Sequence, residues 1–172
     1  MTNHIITRVI LFCLFCLGSL SGKSQLFQVF LGINGLTCSQ CSRSVEMSLL
    51  KLKFVDHVEM ELARAEGTVF FKPGQKVDLD KVAQAVYDAG FAVRFIKLEM
   101  DLSKNMLSGN CFNYEGNYFQ VIGKQNDIDI SNARFKLLGK NFLPNKEWKE
   151  VRSQLVSACT ATDQKTYFIQ LQ

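Results

Sequence analysis

Residues 27–52 read FQVFLGINGLTCSQCSRSVEMSLLKL, and a change of period inside that stretch decides the fold. Phe27, Val29, Leu31 and Ile33 alternate with Gln28, Phe30 and Gly32, which predicts a strand with one strongly apolar face. The strand runs into a loop, Asn34-Gly35-Leu36-Thr37-Cys38. From Ser39 to about Lys53 the apolar positions Cys41, Val45, Leu49 and Leu52 recur at helical spacing, with no glycine or proline between them. Cys38 and Cys41 therefore stand where a strand hands over to a helix.

Period two returns at Val58, Met60 and Leu62, with His57, Glu59 and Glu61 opposite, and again at Thr68 to Lys72 beyond a turn that includes Gly67. These predict a hairpin closed by Pro73-Gly74. A second helix follows, with Asp78 or Asp80 as its N-cap, Leu79, Val82, Ala83 and Val86 as its buried stripe, and Gly90 placed to end it. Phe91, Val93 and Phe95 predict the last strand. The order β-α-β-β-α-β over residues 26–99 is the ferredoxin-like plan, an α+β class fold in which two helices cover one face of a four-stranded antiparallel sheet.

The rest of the chain bounds the setting. In 172 residues, 47% are apolar and 21% charged, which excludes a disordered or collagen-like chain. Residues 1–24 have the order of a secretory signal: a polar start ending at Arg8, an apolar run from Val9 to Leu20, then Ser21, Gly22, Lys23 and Ser24. The apolar run is short for a membrane span. Cleavage before Gln25 is the expectation, an uncleaved N-terminal anchor the alternative, and either makes the protein exported, periplasmic or secreted. Losing Arg8 and Lys23 leaves only a small positive excess out of the formal +4, with no basic patch interleaved by aromatics. Nucleic acid is therefore not an expected partner. Cys13 and Cys16 fall inside the apolar run and are assigned no chemistry. Cys38, Cys41, Cys111 and Cys159 remain, in a compartment where thiols tend to oxidise.

A helix N-terminus offers free N–H groups and a positive dipole end, which favour thiolate over thiol. Two thiolates three residues apart converge on one ion, and soft sulfur selects Cu(I), Zn(II) or Hg(II) over Mg(II) or Ca(II). Two ligands suit the open coordination that Cu(I) and Hg(II) accept, whereas structural zinc is nearly always held by four. The stretch Gly35-Leu36-Thr37-Cys38-Ser39-Gln40-Cys41, continuing through Ser44-Val45-Glu46 to Leu49, resembles the signature of heavy-metal-associated domains, and Asp88-Ala89-Gly90-Phe91 resembles that family's turn into its last strand. The resemblance covers about 75 of the 172 residues. It implies a metal held by Cys38 and Cys41, with Cu(I) first and Hg(II) or Zn(II) behind it. It also implies Phe91 packed near the metal loop, and a metal donor or acceptor protein as partner, such as a metal-transporting ATPase or another exported carrier. No catalysis and no small-molecule substrate are implied. Leu36 stands where the family usually has Met, a swap of similar size beneath the loop.

Other candidates are weaker. An exported Cys-x-x-Cys also suits a thiol-disulfide oxidoreductase, although the thioredoxin pattern of parallel strands is missing. A third reading is a docking module that uses no metal. His4 lies in the leader and His57 on a polar strand face. Met47, Met60, Met100 and Met106 form no close cluster, and Glu59 and Glu61 read as a solvated strand face. Residues 100–172 predict a small β-rich domain with one helix: a hairpin over 111–122 turning at Gly116-Asn117, strands at 133–138 and 166–171, a helix over 146–156, and an architecture like a five-stranded oligonucleotide/oligosaccharide-binding barrel. Cys111 and Cys159 predict a disulfide, the alternative being a four-sulfur zinc site completed with Cys38 and Cys41.

Overall fold

The computed structural model describes residues 28–100, 102, 110–123, 133–155, 159 and 165–172. The leader and Met106 lie outside the described residues. The elements are β1 (Gln28–Asn34), α1 (Ser39–Leu50), β2 (Val55–Glu61), β3 (Glu66–Phe71), α2 (Leu79–Asp88), β4 (Ala92–Met100), β5 (Cys111–Tyr114), β6 (Asn117–Val121), β7 (Ala133–Leu138), α3 (Asn145–Val151) and β8 (Thr166–Leu171), with 3-10 turns at Leu62–Arg64 and Arg152–Gln154.

The first six elements form the ferredoxin-like unit. β1 pairs antiparallel with both β3 and β4, and β2 pairs antiparallel with β3. Val45 and Leu49 of α1 and Leu79, Val82 and Val86 of α2 are fully buried, in one core with Val29 and Leu31 of β1, Val69 of β3, and Ile96 and Leu98 of β4. Asp78, not Asp80, caps α2: its side chain accepts from the N–H groups of Asp80 and Lys81. Such a cap stabilises a helix by about 1 kcal/mol. At the other end Gly90 takes φ +88°, and the Phe91 N–H reaches back to the Val86 carbonyl, the left-handed helix ending expected of that glycine.

The hairpin is displaced from its expected position. Its turn runs through Leu62–Arg64 and Ala65, which takes the left-handed conformation at φ 50°. Pro73-Gly74 lie instead in the connection from β3 to α2. Gly67 sits inside β3, where an added Cβ would lie 2.8 Å from the Met60 sulfur. Its bare backbone makes room for a packed side chain and is not a turn signal. α1 ends at Leu50 because the chain turns through 51–54 to bring Phe54 and Val55 into the core.

Beyond β4 the chain is β-rich with one helix, but the described strands do not close into a barrel. β7 pairs antiparallel with β4, from Lys97↔Lys136 to Met100↔Ala133, so the sheet continues without a break at the expected boundary. Its order is β2-β3-β1-β4-β7-β8-β6-β5, with β6 and β8 the parallel pair. The barrel expectation fails because the apolar residues of β7 and β8 continue the first unit's core: Phe135, opposite Leu98, is fully buried, as are Leu137 and Ile169. The β5–β6 hairpin turns at Glu115 and Gly116, both at positive φ, one residue earlier than predicted. α3 is shorter than predicted and passes into the 3-10 turn at Arg152–Gln154. No helix among the described residues is long and apolar enough to cross a membrane.

Candidate metal centre

The site is built from the end of β1 upward. Gly35 turns the chain at φ +83°, and Leu36, 4% exposed, anchors the loop in the core. Leucine fills the buried position beneath the loop, as its similarity in size to Met requires. Thr37 and Cys38 then emerge into solvent. Cys38 is the N-cap of α1, with extended backbone at φ −141° and ψ 156°. Its sulfur accepts from the Cys41 N–H at 3.1 Å and its carbonyl from the Ser42 N–H at 3.0 Å. Cys41 is half-buried against the core.

The two sulfurs meet: Cys38 and Cys41 are joined as a disulfide, with Cα atoms 5.2 Å apart. One sulfur is solvent-facing and the other lies over the core edge, on the first turn of a helix that carries no acidic residue there. The Arg43–Glu46 pair on α1 is the nearest charged feature along the helix. After reduction, the N-terminal dipole and the Cys41 N–H favour the thiolate at Cys38. Phe91, half-buried, arrives from the turn between α2 and β4: a Cβ built on Gly35 would lie 3.9 Å from its ring. The resemblance implied an aromatic ring beside the loop at this position, and the structure places one there. Ser42, next to Cys41, is 8% exposed, and its hydroxyl has no hydrogen-bond partner among the described residues.

The other sequence candidates are elsewhere. His57 stacks on Phe70 with ring centroids 4.1 Å apart and hydrogen-bonds Asp56, remote from the loop on the β2 edge. Met47 is exposed on α1, Met60 packs against the core and Met100 is buried in β4. Glu59 is exposed and Glu61 faces Arg64. Cys111 and Cys159 are bonded to each other across a sequence separation of 48. That overturns the four-sulfur zinc site, since neither thiol is left to join Cys38 and Cys41. Among the described residues no group of three or more His, Cys, Asp or Glu converges as a metal site. Among the described residues the candidate donors are the two sulfurs of Cys38 and Cys41, fewer than the four that structural zinc usually takes.

A cluster the sequence did not announce joins α2 to the appended strands. Asp80 accepts from the Asn141 amide at 3.3 Å, from the Tyr167 hydroxyl at 3.1 Å and from Lys165. Asn117, 6% exposed, donates to the Val77 carbonyl at 3.1 Å. The only sequence signal was an aspartate two residues after another aspartate, with one cap to serve.

Residues 31–92 match the family model of the heavy-metal-associated domain. Curated relatives include Copper-transporting ATPase 1 of Rhizobium meliloti (strain 1021), 41% identical over 66 residues, and Cation-transporting ATPase HMA5 of Oryza sativa subsp. japonica, 35% identical over 65 residues. Each alignment takes 38% of this chain, which spans only 8% and 6% of those proteins. Among solved structures, a copper binding domain from HMA7, a P-type ATPase, is 29% identical at a TM-score of 0.36, over 40% of this chain and 90% of that one. Oxidized MerP from Ralstonia metallidurans CH34 is 29% identical at 0.35, over 38% and 93%. The β-α-β-β-α-β topology, from β1 to the start of β4, and the cysteine pair on the strand-to-helix junction lie over residues 31–92, the stretch that matches the heavy-metal-associated domain.

Proposed function

We propose that this protein is an exported carrier of one soft metal ion, Cu(I) before Hg(II) or Zn(II), held on the thiolates of Cys38 and Cys41. The observation that carries the reading is the exposed Cys38 sulfur on the α1 N-cap, receiving the Cys41 N–H, with the second sulfur at bonding distance. The oxidised pair cannot hold the ion. A dithiol reductant supplies two electrons and two protons as it closes to its own disulfide, converting the pair to two thiols, and binding then displaces the thiol protons. A relative named Copper-transporting ATPase 1, 41% identical over 66 residues, supports copper as the cargo. Transfer proceeds by ligand exchange: a thiolate or thioether of a donor or acceptor protein adds to the under-coordinated ion before one cysteine leaves. Because the donor set is only two sulfurs on an exposed loop, the protein need move little. Anaerobic titration of the reduced protein with Cu(I) against a chelating competitor is expected to give one tight site per chain. The Cys38→Ser, Cys41→Ser double variant should lose it, and unchanged affinity in that variant overturns the assignment.

The disulfide in the structure favours one second reading, a thiol-disulfide oxidoreductase using the same pair. It requires metal-independent disulfide exchange with a protein substrate, abolished by either single serine variant. Cu(I) affinity without exchange activity decides for the carrier.

A further inference from the structure

The helices cover one face of the sheet, and the other face has a charge order of its own. Residues paired directly across neighbouring strands share a face. The register therefore sets Glu59, Thr68, Phe30, Lys97 and Lys136 in one row across β2, β3, β1, β4 and β7, on the side away from the core. A second row runs His57, Phe70 and Gln28. A third has Glu61, Glu66 and Gly32, over which the Phe95 ring lies flat enough that a Cβ on Gly32 would be 2.4 Å from it. The middle of this face is aromatic, with Phe30, Phe70 and Phe95 all half-buried. One flank, β2 and β3, carries Glu59, Glu61 and Glu66. The opposite flank, β4 and β7, carries Arg94, Lys97, Arg134 and Lys136, with Glu99 opposite Arg134. A groove of about 480 Å³ opens on this face, lined by Phe30, Phe95, Glu66, Lys97, Glu99 and Arg134 among others. Some of the charges are partnered within the chain, Glu66 with Arg94 and Arg64, Glu61 with Arg64, and Glu99 with Arg134. Glu59 is exposed, and the Lys97 ammonium rests over the Phe95 ring, 4.8 Å from its centroid.

We propose that this face is a self-association surface, on which a second copy of the chain packs about a two-fold axis parallel to the strands. The charge order selects both occupant and axis. Rotation about an in-plane axis along the strands carries the acidic flank of one copy onto the basic flank of the other, on both sides at once, and brings the aromatic centres together. Rotation about the in-plane axis across the strands sets acid on acid and base on base. The chosen arrangement is an aligned sheet-on-sheet packing with an isologous interface. The appended segment suits it. β7 widens the basic flank. The Lys136–Glu147 ion pair holds α3 to the same face at β7. On the helix side, Asn117 of β6 meets Val77 and Tyr167 of β8 meets Asp80. By the same symmetry both Cys38–Cys41 loops lie at one end of the dimer with the helix layers outward, so association leaves the metal loops uncovered. This inference does not rest on the metal assignment.

Sedimentation equilibrium of the full chain tests it, with two charge-reversed variants, Lys97→Glu with Arg134→Glu and Glu59→Lys with Glu61→Lys. Each variant alone sets like charges opposite one another on both flanks and should weaken dimerisation about tenfold or more. Mixed in equal amounts, the two variants restore opposite charges on both flanks, and the heterodimer should return toward wild-type affinity, a recovery that misfolded variants do not give. A wild-type chain that stays monomeric at all concentrations overturns the proposal. So does a dimer indifferent to both reversals, or a mixture no tighter than its components.

Discussion

At the scale of single residues, the Cys38–Cys41 loop depends on a backbone conformation as much as on its sulfurs. Gly35 holds φ +83° in open surroundings, with the Phe91 ring at 3.9 Å from a would-be Cβ, an ordinary contact. Gly35→Ala therefore introduces no collision, only left-handed strain of roughly 1–2 kcal/mol. The expected result is an unfolding free energy lowered by that amount, read as a lower urea midpoint and partly recovered in Gly35→Asn because asparagine tolerates this region. Metal stoichiometry should be unchanged in both, and an unchanged midpoint in the alanine variant would show that the loop does not need this turn. The position of Cys38 and Cys41 was legible because the change of period puts them where β1 hands over to α1, Cys38 as the N-cap and Cys41 in the first turn. Phe91 was legible only through the family resemblance. The choice between Asp78 and Asp80 was not legible, since either has the right chemistry for a cap. Asp78 takes the two N–H groups, which frees the Asp80 carboxylate for partners 61 to 87 residues away.

At the scale of elements, that freed carboxylate fastens α2 to β8. Tyr167 is buried beside it, and burial first, then the negative charges of Asp80 and Asp78, pushes the phenol's pKa well above its ordinary value near 10. Below about pH 10 the phenol is protonated in both folded and unfolded chains, and the hydrogen bond contributes in full. As the pH rises beyond that, the unfolded chain ionises first and is favoured, so the contribution is lost. The stability advantage of wild type over Tyr167→Phe, read from denaturant midpoints, should accordingly be constant from about pH 7 to 9 and shrink between about pH 10 and 11.5. A pH-independent difference would mean that the hydroxyl is not held at Asp80. The β2–β3 hairpin shows why element boundaries were less legible than element order. Alternation placed both strands, but glycine was read as the turn, while Ala65 makes the turn and Gly67 accommodates Met60. Positive φ at an alanine has no sequence signature.

At the scale of the whole molecule, the sequence divides near residue 100, where composition shifts toward Asn, Gly and aromatic residues, yet the sheet does not divide. An exposed β4 would offer a full row of unpaired backbone groups, and β7 covers it with four register pairs from Lys97 to Met100. Such long-range pairing leaves no periodic trace, so local reading found the strands and not their neighbours. Burial makes the same connection, since Leu98 of β4 and Phe135 of β7 are both fully buried in one cluster that runs from Val29 to Ile169. One shared core and one shared sheet predict one cooperative unit. Trp148, the single tryptophan, lies on α3 in the appended segment, whereas both large helices lie in the ferredoxin-like unit. Tryptophan fluorescence and far-UV circular dichroism therefore report different halves, and with both disulfides intact their urea transitions should coincide. Reducing the Cys111–Cys159 bond removes a loop closure worth up to about 4 kcal/mol in the chain-entropy model. If the halves are one unit, reduction should shift both signals to lower urea together. A fluorescence transition that moves alone would show that β7 lies against β4 as a neighbour without sharing its fold.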